Sequence, residues 1–204
     1  MTSTFLPDSD SKVRVLAGLG NPGPEYAVTR HNLGFICVDA VAEALKLTWR
    51  NWRGGEVATT HLDRAHIFLF KPTTYMNRSG EPLRTLLEYH HVPTANLAVV
   101  ADDVYLPPGT VRIRRGGSHG GHNGWKSVST QLGAGEYWRI RLGAGVYEQH
   151  PDKRTHQPPM EDYVLQKLSA GELVVTEKLI DRLVPKLVRW LEHGELTEET
   201  AHVS

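Results

Sequence analysis

Apolar and polar positions follow two rhythms along this chain, and each change of rhythm marks an element. Val13-Arg14-Val15-Leu16-Ala17-Gly18-Leu19 predicts a strand, stopped by the cluster Gly20-Asn21-Pro22-Gly23-Pro24. After a polar loop, Phe35, Val38, Val41, Ala42 and Leu45 recur at helical spacing, so a helix runs from Leu33 to about Leu47. Strands follow at 56–62 and 66–70, the second ending in Lys71-Pro72-Thr73-Thr74-Tyr75-Met76-Asn77. Ser79 is placed to cap a helix running to about His90, with Pro82 in the first turn, where a missing N–H costs nothing. A short apolar strand at 97–101 ends at Asp102-Asp103, and 111–115 and 137–142 alternate apolar with basic residues, as half-buried strands do. A glycine-rich loop between these two leads into a helix from Trp125 to Leu132. Leu173, Thr176, Ile180, Leu183, Val184, Leu187, Val188 and Leu191 form the stripe of a packing helix over 172–193, despite Pro185.

Strands alternating with helices predict a single layered α/β domain over 12–194: a mixed twisted sheet flanked by helices, plus a C-terminal packing helix. A frayed tail at 1–11 and a C-terminal tail at 195–204 flank it, and 204 residues supply an ample core. In open sheets of this kind ligands collect beyond the carboxyl ends of strands, where Asn21, Asn77 and Asp102 fall. Cys37 is the only cysteine, so no disulfide within the chain and no cysteine zinc cage can form, and a cytoplasmic location fits. No apolar run is long enough to cross a bilayer, which gives no membrane partner. The formal charge is zero, with 23 basic and 23 acidic residues, so a nucleic-acid partner has to be met by a local patch. Arg112, Arg114, Arg115, His119, His122 and Lys126 share one stretch without an acid, and Arg139 and Arg141 follow. By itself this stretch fits a solvated face as well as a phosphate-binding rim.

Several short motifs carry rival chemistries. Gly18-Leu19-Gly20-Asn21-Pro22-Gly23 matches the spacing of a dinucleotide site, with Asp39 roughly where the ribose acid belongs. Such a site needs a helix opening within the glycines, and Pro22-Gly23-Pro24 does not begin one. Gly116-Gly117-Ser118-His119-Gly120 fits the nucleophile elbow of the α/β-hydrolases, but the strand before it is half basic and more loop follows. His119-x-x-His122 lacks a helical glutamate, so a metal is not expected. His61, His66, His90, His91, His150, His156, His193 and His202 are read as surface or structural. His31, in Thr29-Arg30-His31-Asn32-Leu33-Gly34, sits where a helix begins and is directed to the sheet's ligand edge. There a neutral imidazole is favoured and can act as a base, although from the segment alone a capping or core histidine is the favoured reading.

Three blocks taken together carry a resemblance: Gly18 to Tyr26 with Thr29 to Gly34; Lys71-Pro72-Thr73-Thr74-Tyr75-Met76-Asn77-Arg78-Ser79-Gly80; and Gly120-Gly121-His122-Asn123-Gly124. In this order and spacing the chain resembles the bacterial peptidyl-tRNA hydrolases from about Val13 to the C-terminal helix. The resemblance implies a monomeric α/β enzyme without cofactor or metal that hydrolyses the ester between peptide and tRNA, with peptidyl-tRNA as its partner. It implies His31 as the catalytic base, Asp102 as the carboxylate that orients it, and Asn21, Asn77 and Asn123 as active-site amides. Tyr26, beside the tRNA acceptor end, and Tyr75 complete the implied substrate contacts. Beside such a site Arg112, Arg114, Arg115, Lys126 and Arg141 become candidate tRNA phosphate contacts, which position the nucleic acid without reading its sequence. Two departures stand out. Tyr105 replaces a second aspartate that the family usually carries after Asp102-Asp103, and the segment 145–159 is longer and more polar than the usual glycine-proline turn, with a helix from about Met160 to Leu165 still expected. A serine esterase using Ser118 and a noncatalytic RNA-binding relative are the competing readings.

Overall fold

The first strand sorts the molecule into its layers. In a computed structural model, which describes residues 12–133, 135–145 and 159–203, the strands are β1 (Lys12–Gly18), β2 (Arg50–Trp52), β3 (Gly55–Leu62), β4 (Ala65–Pro72), β5 (Leu97–Asp103), β6 (Thr110–Arg115), β7 (Trp138–Gly143) and β8 (Glu199–His202). The helices are α1 (Leu33–Ala44), α2 (Gly80–Tyr89), α3 (Asn123–Leu132), α4 (Met160–Leu165) and α5 (Ala170–His193). Because strand side chains alternate between faces, Leu16 of β1 enters the apolar layer under α1 and α5, whereas Val15 and Ala17 enter the layer under α2 and α3. All eight strands form one mixed sheet in the order β2-β3-β4-β1-β5-β7-β6-β8. Pairing is parallel between β1 and β4, β1 and β5, and β5 and β7, and antiparallel elsewhere. This is the expected α/β domain with its C-terminal packing helix. Among the described residues no helix is long and apolar enough to cross a membrane.

Close backbone packing brings α1 onto the ligand edge. A Cβ on Gly34 would lie 2.4 Å from the carbonyl oxygens of Leu19 and Val100, so only glycine lets the first turn of α1 rest on the backbones of β1 and β5. The turn before it, Arg30–Asn32, is thereby set at the carboxyl end of β5. At the other end of the domain Arg14 is buried and donates from Nη1 to the carbonyls of Leu191 (2.7 Å) and Glu192 (3.0 Å), which satisfies the last turn of α5.

Three expectations need correction. Residues 199–202 of the expected C-terminal tail form β8, which pairs with β6 and takes up backbone groups that an edge strand would leave open. Its polar sequence carries no strand alternation of its own. Ser79 does not cap α2: at φ −58° and ψ −27° it is already helical, and its hydroxyl donates back to the Met76 carbonyl at 3.0 Å. A cap needs extended backbone, and the 3-10 turn Met76–Arg78 instead runs straight into the helix. The first long helix ends at Ala44 rather than near Leu47, and the short β2 was not foreseen. The expected tail at 1–11 and residues 146–158 of the long polar segment lie outside the described residues.

His61, His66 and His90, read as surface or structural, pack into a row on the β3–β4 side. The His61 and His66 rings stack at 4.2 Å, and Phe68 bridges to His90 with centroid distances of 4.3 and 4.2 Å. Thr59 Oγ1 donates to the Ile67 carbonyl and so accepts from His66 Nε2 at 2.9 Å. Burial first, then the neighbouring His61 and His90, push His66 down from 6.5 to about 4. A folded value below the unfolded one means that the unfolded chain takes up the proton first. Stability is therefore complete above the ordinary value and falls as the pH drops from 6.5 toward about 4. Thermal melts across that window are expected to show a shallower acid loss for His66→Phe than for wild type; parallel curves would remove His66 from the acid response.

Candidate active site

The last turns of β5 and the approach to α3 place two imidazoles on one carboxylate. Asp102 is fully buried, and its Oδ1 lies 2.9 Å from His31 Nδ1 and 2.9 Å from His122 Nε2. His122 is the N-cap of α3, and its Nδ1 accepts from the backbone N–H groups of Gly124 (3.0 Å) and Trp125 (3.3 Å). A nitrogen that accepts carries no proton, so His122 is neutral and donates its Nε2–H to Asp102. At His31 the same oxygen takes Nδ1–H, which leaves Nε2 with a lone pair and no hydrogen-bond partner among the described residues. Burial alone would raise the pKa of Asp102, but the two imidazoles outweigh it and hold the carboxyl well below the usual carboxylate range. Its Oδ2 has no hydrogen-bond partner among the described residues.

A second bracket fixes Asn21. The Asn32 side chain accepts from Asn21 N–H at 2.8 Å and donates to the Asn21 carbonyl at 3.0 Å, while Asn21 Oδ1 accepts from Met76 N–H at 2.8 Å. With its oxygen committed, Asn21 presents Nδ2 as a donor in a set orientation. Tyr75, just before Met76, holds φ 59° and ψ 157°, a conformation costly for a residue with a Cβ. Its carbonyl accepts from Arg78 N–H at 3.1 Å, so the strained residue shapes the turn that aims Met76 at Asn21 and carries the exposed Asn77.

A cleft opens onto these groups. His31, Asp102, His122 and Asn123 line it together with Tyr105, Arg141 and, from α4, Met160, Glu161 and Val164. Tyr105 is 40 % exposed and its N–H donates to Asp103 Oδ1 at 2.9 Å. Pairing of Arg112 with Arg141 and of Arg114 with Arg139 puts these four on one sheet face, whereas Arg115 leaves on the other and covers the Trp138 ring at 5.4 Å. The five basic residues singled out in the sequence therefore do not form a single patch. Arg141 binds Asp103 Oδ2 at 3.2 Å and the Ser118 carbonyl, to which buried Arg139 also donates at 3.3 Å, and the pair ties down the glycine loop. Arg114 donates to Thr200 Oγ1 at 3.2 Å, while Lys126 is exposed on α3.

His31, Asp102 and His122 are also the one group among the described residues with the composition of a metal site. A metal there would have to displace both hydrogen bonds to Asp102 and, at His122 Nδ1, the helix cap. His119, the other half of the histidine pair in the sequence, turns back instead to accept from Gly121 N–H at 3.1 Å.

The model of the peptidyl-tRNA hydrolase family matches residues 15–204. The chain belongs to this family. A peptidyl-tRNA hydrolase of Desulfitobacterium hafniense is 39% identical over 182 residues, covering 89% of this chain and 95% of that protein. One from Bordetella avium is 38% identical, covering 87% and 86%. A solved peptidyl-tRNA hydrolase from Acinetobacter baumannii superposes with a TM-score of 0.80 at 30% identity, covering 92% of both chains.

Membership in the peptidyl-tRNA hydrolase family accords with the fate of the rival motifs. After β1 the chain enters a 3-10 turn, Pro24–Tyr26, rather than a helix, and Asp39 lies within α1, bonded to Lys71 Nζ at 2.8 Å, so neither serves a dinucleotide. Ser118 stands in an irregular loop well before α3, and among the described residues no histidine bonds its hydroxyl. Of the residues singled out in the sequence, His31, Asp102, Asn123 and Arg141 meet at one cleft. Asn21 joins through Asn32 and Met76, whereas Tyr26 is half-buried in its turn and Tyr75 is 58 % exposed beyond the cleft lining. His122 and Asn32 were missed as site residues. A histidine directly before Asn123 at a helix start is the signal that could have marked His122 as a cap.

Proposed function

We propose that this protein hydrolyses the ester joining a peptide to the terminal ribose of tRNA, acting on peptidyl-tRNA released during translation. The observation that carries this reading is His31 in the lining of a cleft, with Nδ1 held by a buried carboxylate and Nε2 without a hydrogen-bond partner among the described residues. In this reading Nε2 takes a proton from a water as its oxygen attacks the ester carbonyl, and Asp102 stabilises the imidazolium that forms. The negative charge growing on the carbonyl oxygen needs neutral donors already in place. Asn21 Nδ2 is oriented for that task by its own oxygen's bond to Met76, with Asn77 the alternative donor. Asn123, in the cleft lining, and Tyr26 and Tyr75, on the neighbouring turns, contact the substrate. Collapse of the tetrahedral species breaks the acyl–oxygen bond, and the proton on His31 passes to the departing ribose oxygen. No acyl-enzyme forms. The reading includes a monomer working in the cytoplasm without cofactor or metal.

The test is release of free tRNA from N-acetyl-aminoacyl-tRNA by the wild-type protein, with and without prior exposure to a serine-directed phosphonate. Release that survives the reagent is expected, because water and not Ser118 is the nucleophile. Inactivation would return the esterase reading, and tRNA binding without release would return the noncatalytic one. Arg112, Arg114, Arg141 and Lys126 supply the phosphate-binding rim, and Arg115, on the opposite face of the sheet, is left out of it. Arg112→Gln with Lys126→Gln is therefore expected to raise the apparent binding constant for tRNA and flatten its dependence on salt, since fewer counterions are displaced. An unchanged salt slope would refute the rim.

A further inference from the structure

We propose that Arg30 is a positioning residue that holds the α4 wall of the cleft at its working distance from His31, and thereby sets the grip on the acyl part of the substrate. The substrate named rests on the function proposed above; the fixing of α4 does not. Arg30 is 8 % exposed and reaches three separate parts of the chain. Its Nε donates to the Ala144 carbonyl at 3.0 Å, just beyond β7. Nη1 donates to the carbonyls of Gln166 (3.4 Å) and Lys167 (3.2 Å), directly after α4. Nη2 meets Glu172 Oε1 at 2.7 Å, while Glu172 Oε2 accepts from Ser169 N–H at 2.7 Å in the capping box that opens α5.

The planar guanidinium fork is what lets one side chain satisfy acceptors in several directions. Its face also covers the ring of Tyr163, in the middle of α4, at 4.6 Å. Backbone bonds run beside it, from Arg30 N–H to Gln166 (3.1 Å) and from Leu168 N–H to Val28 (3.0 Å). A helix of six residues has little stability of its own, and the most extensive packing of α4 against another element is with the turn Arg30–Asn32. A separate contact keys the same helix to the end of β7: a Cβ on Gly145 would lie 2.0 Å from the Tyr163 hydroxyl. Met160, Glu161 and Val164 face the cleft from this helix, and His31 follows Arg30 in the chain. A shift of α4 relative to the turn therefore changes the width of the cleft directly at the base.

A wall that grips substrate and transition state alike affects KM and leaves kcat nearly alone. The test uses the full chain carrying Arg30→Gln or Glu172→Gln. Gln at 172 keeps an oxygen for the Ser169 cap but loses the ion pair with Arg30, so it bears on the proposal even if the first variant folds poorly. For both, KM for a peptidyl-tRNA is expected to rise about tenfold while kcat changes less than about twofold. Amide hydrogen exchange is expected to quicken over 160–168 and to stay unchanged in α1. Unaltered exchange at 160–168, or a loss confined to kcat, would overturn the assignment. Because exchange is read without substrate and wild-type turnover is measured alongside, failure of Arg30 as a positioning residue is separable from failure of the proposed function.

Discussion

His31→Ala is expected to lower the release of tRNA from N-acetyl-aminoacyl-tRNA by at least about a hundredfold, in kcat rather than KM, with the fold intact. The side chain is nearly buried, but among the described residues its one hydrogen bond is Nδ1 with Asp102, so truncation removes that bond and leaves the backbone turn in place. Asp102 keeps its second donor, His122 Nε2, at 2.9 Å, so the carboxylate is not stranded. Circular dichroism and a melting curve on the same preparation check that premise. Turnover near that of wild type from a folded variant would remove His31 as the base.

The second large effect is expected from Asp102→Asn. An amide oxygen in the place of Oδ1 can still accept from both imidazoles, and the amide nitrogen occupies the position of Oδ2, which has no partner among the described residues. Geometry is conserved while the charge is lost. Burial works against that charge and the two imidazoles more than reverse it, so the carboxylate is ionised throughout the pH range of any ordinary assay. The substitution therefore tests charge and not a change of protonation. A loss in kcat of roughly a hundredfold or more is expected, because the imidazolium formed as His31 takes its proton no longer has a counterion. If kcat were retained, Asp102 would serve only to select the tautomer.

Much of this architecture was legible from hydrophobic rhythm, because burial imposes a period on each segment independently. β1, α1, β4, β5 and α5 were foreseen for that reason, and the stripe on α5 packs where its period predicts. β2 and β8 were not, since short polar strands exist by pairing with a neighbour that no local pattern identifies. The candidate site divides along the same line. Residue types and position singled out His31, Asp102, Asn21 and Asn77, and the family resemblance added Asn123 and gave them all roles.

Which atoms serve depends on contacts between residues far apart in the chain. His31 and Asp102 are 71 positions apart, yet their contact decides which nitrogen of His31 is free. His122 resembled half of a metal pair until α3 claimed its Nδ1 and left Nε2 for Asp102. The arginines formed one basic run in sequence, but strand pairing divided them between two faces and committed Arg141 to Asp103 and Ser118. The chain by itself determined the layers and the chemical groups available, through periodic burial and residue type. Tautomer, donor direction and the reach of Arg30 were decided only when folding brought distant hydrogen-bond partners within 3 Å or so of one another, the distance over which such bonds act.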